Sequence, residues 1–223
     1  MFIHNASIEI PNFELKITHE NGTRFYLTEN GNKYPSITSV LSANPEKRKG
    51  LQQWRKRVGH EEATKISGRA ARRGTAVHKM CEDYLNNEED YSNGAMPDSL
   101  QMFNSLKPIL DENLNNIHTQ EAMLYSDYLG VAGRVDCIAE WNGVPAVIDF
   151  KTSSKPKRLE WVNDYFMQCS AYAAMYFERT DIAIKDIVVA VMVDNNKPQI
   201  FTEKVSKWLP TLKRAIDEFN IGY

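Results

Sequence analysis

The stretch Gly133-Arg134-Val135-Asp136-Cys137-Ile138-Ala139-Glu140-Trp141-Asn142-Gly143-Val144-Pro145-Ala146-Val147-Ile148-Asp149-Phe150-Lys151-Thr152 decides how this chain folds. Asn142-Gly143 is a strong signal for a two-residue hairpin turn, and such a turn fixes the register of the strands on either side. With Trp141 facing Val144, Asp136 falls opposite Asp149 and Arg134 opposite Lys151. Directly opposed strand residues have Cβ atoms ~4.5–5.5 Å apart on one face, and the period of two puts Asp149 and Lys151 on that same face. Two acids and a lysine are therefore expected to converge. Opposed carboxylates repel, and at this point two readings are open. A divalent cation would offset the repulsion, and hard oxygen ligands suit Mg²⁺ or Mn²⁺. Alternatively the strands lie at a solvated edge, where Lys151 and Arg134 neutralise the acids.

Around this hairpin the hydrophobic period is that of strands at 119–125, 129–140 and 144–151, followed by a helix at about 160–178. Strands at 186–193 and 199–205 flank the turn Asn195-Asn196-Lys197, and a last helix carries Trp208, Leu212, Ile216 and Phe219. Upstream, Phe13, Leu15 and Ile17 alternate before Asn21-Gly22, and Phe25 and Leu27 after it, which reads as a hairpin over 13–28. Asn30-Gly31 makes a second turn, Ile37–Ala43 a short capped helix, and Leu51, Trp54 and Val58 one face of a longer basic helix. A helix is expected at 75–86, capped by Thr75, and another from Asp98 to Ile117, kinked at Pro108. The order is α+β. With no linker, repeat or low-complexity tract, one domain is the economical reading.

At 223 residues, 42% hydrophobic and 25% charged, the chain is suited to burying a core, and disorder or a collagen-like repeat is excluded. No apolar run approaches the roughly 20 residues that span a bilayer, so no membrane partner is expected. Nor does the N-terminus read as a signal peptide, and an unsecreted protein is expected. Cys81, Cys137 and Cys169 are odd in number and widely spaced, which argues for reduced core residues. The net charge of −2 predicts no polyanion binding by itself, but its distribution is uneven. Basic residues crowd the stretch from Lys47 to Lys79, with only Glu61 and Glu62 against them.

Taken with their surroundings, Asp136 and Asp149-Phe150-Lys151 resemble the metal site of the PD-(D/E)XK nuclease superfamily. Three features are similar to its RecB-like exonuclease branch. They are Arg73-Gly74-Thr75-Ala76-Val77-His78 (G-T-x-x-H), Gln168-Cys169-Ser170-Ala171-Tyr172 (Q-x-x-x-Y), and Gly133-Arg134-Val135-Asp136 with Asp149-Phe150-Lys151-Thr152. Within that branch, Tyr34-Pro35-Ser36-Ile37-Thr38-Ser39-Val40-Leu41, followed by a Trp-containing basic helix, resembles exonucleases of the mitochondrial genome maintenance type and their small phage relatives.

The resemblance implies a PD-(D/E)XK core, a mixed central sheet flanked by helices, with a helical and hairpin N-terminal elaboration. It divides one nuclease domain into an elaboration over 1–74, a core over 75–205 and a C-terminal helix over 206–223. It implies a DNA exonuclease dependent on Mg²⁺ or Mn²⁺, acting on single-stranded or frayed ends, in the cytoplasm (the host's, if phage-encoded). Asp136, Asp149, the Phe150 carbonyl and His78 would hold metal, and Lys151, Gln168 and Tyr172 would complete the catalytic set. Arg69, Arg72, Arg73, Ser36, Thr38, Trp54, Arg55 and Thr152 would contact DNA. A structure-specific endonuclease of the same fold and a non-catalytic DNA-binding protein are the alternatives.

Overall fold

A computed structural model of the chain describes residues 1–8, 10 and 15–222. Lys16–Glu20 (β1) and Thr23–Leu27 (β2) form the first hairpin about Asn21-Gly22, both left-handed with φ of 50° and 79°, as a tight turn of matching twist requires. Phe13, expected in this alternation, lies outside the described residues. Leu15 and Tyr26 are buried apolar side chains of this unit, while Phe25 and Leu27 are half-buried. Lys33–Pro35 (β3) pairs with β2 beyond the Asn30-Gly31 turn.

Ser36 then caps Ile37–Ser42 (α1), its hydroxyl accepting the Ser39 N–H at 3.1 Å. Asn44 caps Pro45–Val58 (α2) in the same way. No residue of α2 is buried, so this helix stands off the core. Gly59, at φ 90°, turns the chain into His60–Leu85 (α3).

The helix expected at 75–86 is the last part of α3, and Thr75 is not its cap. Ala- and Arg-rich sequence continues the helix backward through Gly74, which lies against the strand that carries Thr152: a Cβ there would stand 3.6 Å from Thr152 Oγ1. Pro97–Asn113 (α4) contains Pro108 and stops short of the expected Ile117, because Leu114 already has extended geometry and opens the next strand.

Among the described residues the main sheet runs β4-β5-β6-β7-β8. These are Leu114–Ser126, Val131–Trp141, Val144–Ser153, Asp186–Val193 and Gln199–Lys204. Only β6 and β7 are parallel, joined through Asn163–Thr180 (α5), and the last helix is Val205–Ile221 (α6). The two faces of the sheet bury different helices. Val147, Ile187, Val189 and Val191 pack with α1, α5 and α6, whereas Ala146, Ile148, Val188 and Ala190 pack with α3 and α4, as strand alternation demands. All three cysteines are buried and unbridged. Among the described residues no helix is long and apolar enough to cross a membrane.

Candidate active site

The expected register holds from Trp141↔Val144 to Cys137↔Ile148, and the pairing of β5 with β6 stops there, one step before Asp136. Val135 packs on the α5 side of the sheet and Cys137 on the α3 side, although they are two residues apart. The alternation therefore slips at Asp136, although the register with β4 is the same on either side of it. Asp136 turns toward α3, where His78 Nδ1 lies 3.5 Å from its Oδ2. The same oxygen accepts the backbone N–H of Phe150 at 2.8 Å, so the carboxylate reaches across the gap to the partner strand. Asp136 and Asp149 are close enough to interact electrostatically, but they are not the directly opposed pair that simple register implies. Arg134 does not meet Lys151 either: it is 51% exposed and pairs with Glu121 at 3.6 Å.

Asp149 keeps the α5 face and is buried. Its Oδ1 accepts Lys151 Nζ at 2.5 Å and Gln168 Nε2 at 3.2 Å, and Gln168 also donates to the Tyr172 hydroxyl at 3.2 Å. Gln168 and Tyr172, one helical turn apart on α5, thus hold the carboxylate from behind. Tyr172 can lie this close to the sheet because position 133 is glycine: a Cβ there would stand 2.8 Å from Tyr172 Cε1. The ammonium of Lys151 also sits over the Tyr165 ring at 5.2 Å. The other oxygen of Asp149, Oδ2, is buried with no hydrogen-bond partner among the described residues.

His78 lies well inside α3 rather than at a first turn, its ring edge-on to that of Phe150. With Glu121 and Asp136 it forms a group whose ligand atoms lie within 4.8 Å of one another. Glu121 belongs to none of the motifs that mark the other site residues in the sequence. It sits in β4 at φ 47°, left-handed and costly for a side-chain-bearing residue. The flanking pairs Gln120↔Cys137 and Ala122↔Val135 set it opposite Asp136. Extending the register from the turn after Ser126 would have found it.

Burial and its neighbours shape the charges of this cluster. Burial, and then the charge of Asp136, push the Glu121 carboxyl up to about 7. Burial also lifts Asp149 to about 6, with Asp136 adding to the rise and Lys151 opposing it. Burial resists charge on Asp136 too, but His78 and Lys151 more than offset it and hold that carboxyl below its usual range. Against burial, Asp136 raises the His78 pKa, and Asp149 and Asp136 raise that of Lys151. The residues fit a divalent cation. An orphaned buried carboxylate oxygen and three clustered donors, two of them carboxylates, are a hard donor set of the kind Mg²⁺ or Mn²⁺ takes.

The other expected residues divide. Thr38 and Gln168 line one groove of about 400 Å³ with Leu51 and Tyr165. Arg69, Arg72 and Arg55 are exposed and Trp54 is half-buried on the α2–α3 arm. Arg73 is 12% exposed and turns back to Asp194 at 3.4 Å, so its charge is already matched. Ser36 is fully buried and its hydroxyl serves the cap of α1. Thr152 is half-buried beside Gly74.

By sequence the chain is similar to exonucleases. It is 30% identical over 134 residues to mitochondrial genome maintenance exonuclease 1 of Mus musculus, covering 57% of this chain and 39% of that protein. The Homo sapiens protein of the same name is 27% identical over 135 residues (56% and 38%), and that of Xenopus tropicalis 26% over 147 (62% and 42%). The chain spans about two fifths of the length of these curated relatives. No protein-family model matches it. A solved protein from Eubacterium rectale superposes with a TM-score of 0.40 at 11% identity over 70% of either chain, which is too loose to bear on function.

Proposed function

We propose that this chain is a metal-dependent nuclease with a PD-(D/E)XK core of the RecB-like branch, hydrolysing phosphodiester bonds of single-stranded or frayed DNA from an end. One observation carries the reading: a buried aspartate with an unpartnered oxygen, held by a lysine and a glutamine, stands beside a His78–Glu121–Asp136 cluster. Exonuclease relatives over more than half of the chain support it.

Asp136, Asp149, Glu121 and His78, with the Phe150 carbonyl, would hold Mg²⁺ or Mn²⁺. When bound, such an ion acidifies water and offsets negative charge on the scissile phosphate. Lys151, kept protonated by the two aspartates, presents a fixed positive charge to the phosphate oxygens as charge builds on them. Gln168 and Tyr172 fix the Asp149 rotamer, so the carboxylate needs no reorganisation during turnover. Arg69, Arg72, Arg55 and Trp54 would receive the strand, and Thr38 and Thr152 would line its approach. Arg73 and Ser36 act instead from inside the protein, as an ion-pair partner and a helix cap.

The test is digestion of end-labelled linear and circular single strands by the wild-type chain in Mg²⁺, in Mn²⁺ and in EDTA. Shortening of linear strands with either metal, intact circles and no products in EDTA are expected. Cleavage in EDTA, or no cleavage under any condition, overturns the reading. Cutting of circles replaces the exonuclease by an endonuclease of the same site.

A further inference from the structure

The segment between the two site-bearing elements, from Ser154 after β6 to Trp161 before α5, has no role in the chemistry above, yet its backbone is held in place at several points. Ser153 Oγ donates to the Lys155 carbonyl at 2.7 Å. Lys157 is held at two points by Gln199: its N–H donates to Oε1 at 2.6 Å, and its carbonyl accepts Nε2 at 3.0 Å. A 3₁₀ turn over Leu159–Trp161 closes the segment, and the fully buried Val162 anchors its end. This fixed backbone displays apolar side chains to water. Trp161 is 55% exposed and Leu159 54%. The guanidinium of Arg158 lies 5.2 Å from the Trp161 ring centroid. Lys155, Lys157 and Arg158 give the segment positive charge against Glu160, which lies 3.8 Å from Arg158 in a pair exposed to water on both sides and therefore weak. An indole left more than half exposed gains less from folding than a buried one, and its display on a rigid, basic segment suits a ligand with a flat face and negative charge.

The position of the segment narrows that ligand. The Ser153 carbonyl accepts the N–H of Asp194, and Asp194 pairs with Arg73, so the segment begins at the end of the sheet where α3 carries the exposed Arg69 and Arg72. Two basic surfaces thus flank the C-terminal ends of the parallel strands β6 and β7, and β6 is the strand that bears Asp149 and Lys151. Open sheets of this kind bind ligands at that end.

We propose that Trp161 is a stacking platform for a base of the single strand flanking the scissile phosphate, with Lys155, Lys157 and Arg158 against neighbouring phosphates. The inference rests on the nuclease reading above and adds to it a binding subsite on the opposite side of Lys151 from the Asp149 end of β6. Stacking is blind to sequence, because every base has a flat face, so the platform would hold strand without selecting it.

The test is fluorescence anisotropy of an end-labelled single-stranded oligonucleotide in Ca²⁺, across a salt series. Trp161→Ala should weaken binding about 5- to 150-fold, the range for one base on an aromatic ring. The salt slope should be unchanged, since no cation is removed. Trp161→Phe should keep most of the affinity. The double change Lys157→Ala/Arg158→Ala should flatten the slope by about 1.4, at roughly 0.7 for each phosphate no longer neutralised. Trp161 is outside the core, so both single variants should melt with the wild type. Wild-type affinity in Trp161→Ala, or equal loss in Trp161→Phe, overturns the platform while leaving cleavage by the wild-type chain to stand. A wild-type chain that neither binds nor cuts the strand overturns the nuclease reading and the platform with it.

Discussion

Asp136 accepts the backbone N–H of Phe150 at 2.8 Å at the step where β5 and β6 cease to pair, so a side chain takes the place of a ladder carbonyl. One carboxylate thereby holds two strands at the spacing the site needs and stays close to His78. Asp136→Asn keeps an acceptor for that N–H but removes the charge. It should fold like the wild type and lose most hydrolysis. Asp136→Ala leaves the N–H without a partner and should be about 1–3 kcal/mol less stable than the Asn variant by denaturant titration. Equal stability of the two would show that the bond does not hold the strands.

Gly133 should be intolerant of a methyl group. Its added Cβ would meet Tyr172 Cε1 at 2.8 Å, the Tyr172 hydroxyl at 3.1 Å and Ile37 Cγ2 at 3.3 Å. Gly133→Ala should cost about 1–3 kcal/mol through overpacking and lower turnover by shifting the Tyr172–Gln168–Asp149 chain. Tyr172→Phe in the same background removes one of the clashing atoms. The two changes should therefore be non-additive in melting and in rate. Full additivity would disconnect the glycine from the tyrosine.

The α3 arginines should separate by salt dependence. Arg69→Ala and Arg72→Ala, both at exposed positions, should each lower the slope of log affinity against log salt by about 0.7 for a single strand. Arg73→Ala should leave the slope alone and lower the melting temperature, because Asp194 is left without its partner. A slope change in Arg73→Ala without destabilisation would return that residue to the DNA track.

Metal-free protein should lose stability as pH rises. Glu121 and Asp149 have folded pKa values of about 7 and about 6, against ordinary values of 4.5 and 3.8, so the folded state binds more protons between about pH 4 and 7. Their contribution is complete below that window and lost across it. His78, also raised, acts in the same direction. Asp136 acts oppositely, but only as pH falls toward its depressed value. Mn²⁺ should restore the loss, raising the melting temperature more at pH 7.5 than at pH 5. A metal-induced shift independent of pH would dissociate these carboxylates from the cation.

Much of this site was legible in the sequence, because Asn142-Gly143 fixes pairing close to the turn and the motif residues lie on regular elements. The register was right as far as Cys137↔Ile148. It failed at Asp136, where packing of Val135 and Cys137 on opposite faces imposes a slip that no local pattern announces. Glu121 lay within reach of the register that runs back from the turn after Ser126, but it belongs to no motif that would have drawn attention to it. Thr75 misled as a cap because Thr favours that position, whereas the good helix formers from Arg69 to Arg73 carry the helix through Gly74. In the basic stretch composition could not separate Arg73 from Arg69 and Arg72. Only the position of Asp194, far along the chain, does so.

If one divalent cation site joins the His78–Glu121–Asp136 cluster to Asp149, anomalous diffraction from crystals soaked in Mn²⁺ will locate it. The expected result is a peak with Asp136 and Asp149 oxygens about 2.0–2.4 Å away, and with Glu121 and His78 among the remaining donors. The peak should vanish in Asp149→Asn. A peak elsewhere, or none in protein that still cleaves DNA with Mn²⁺, would show that these residues do not share a cation.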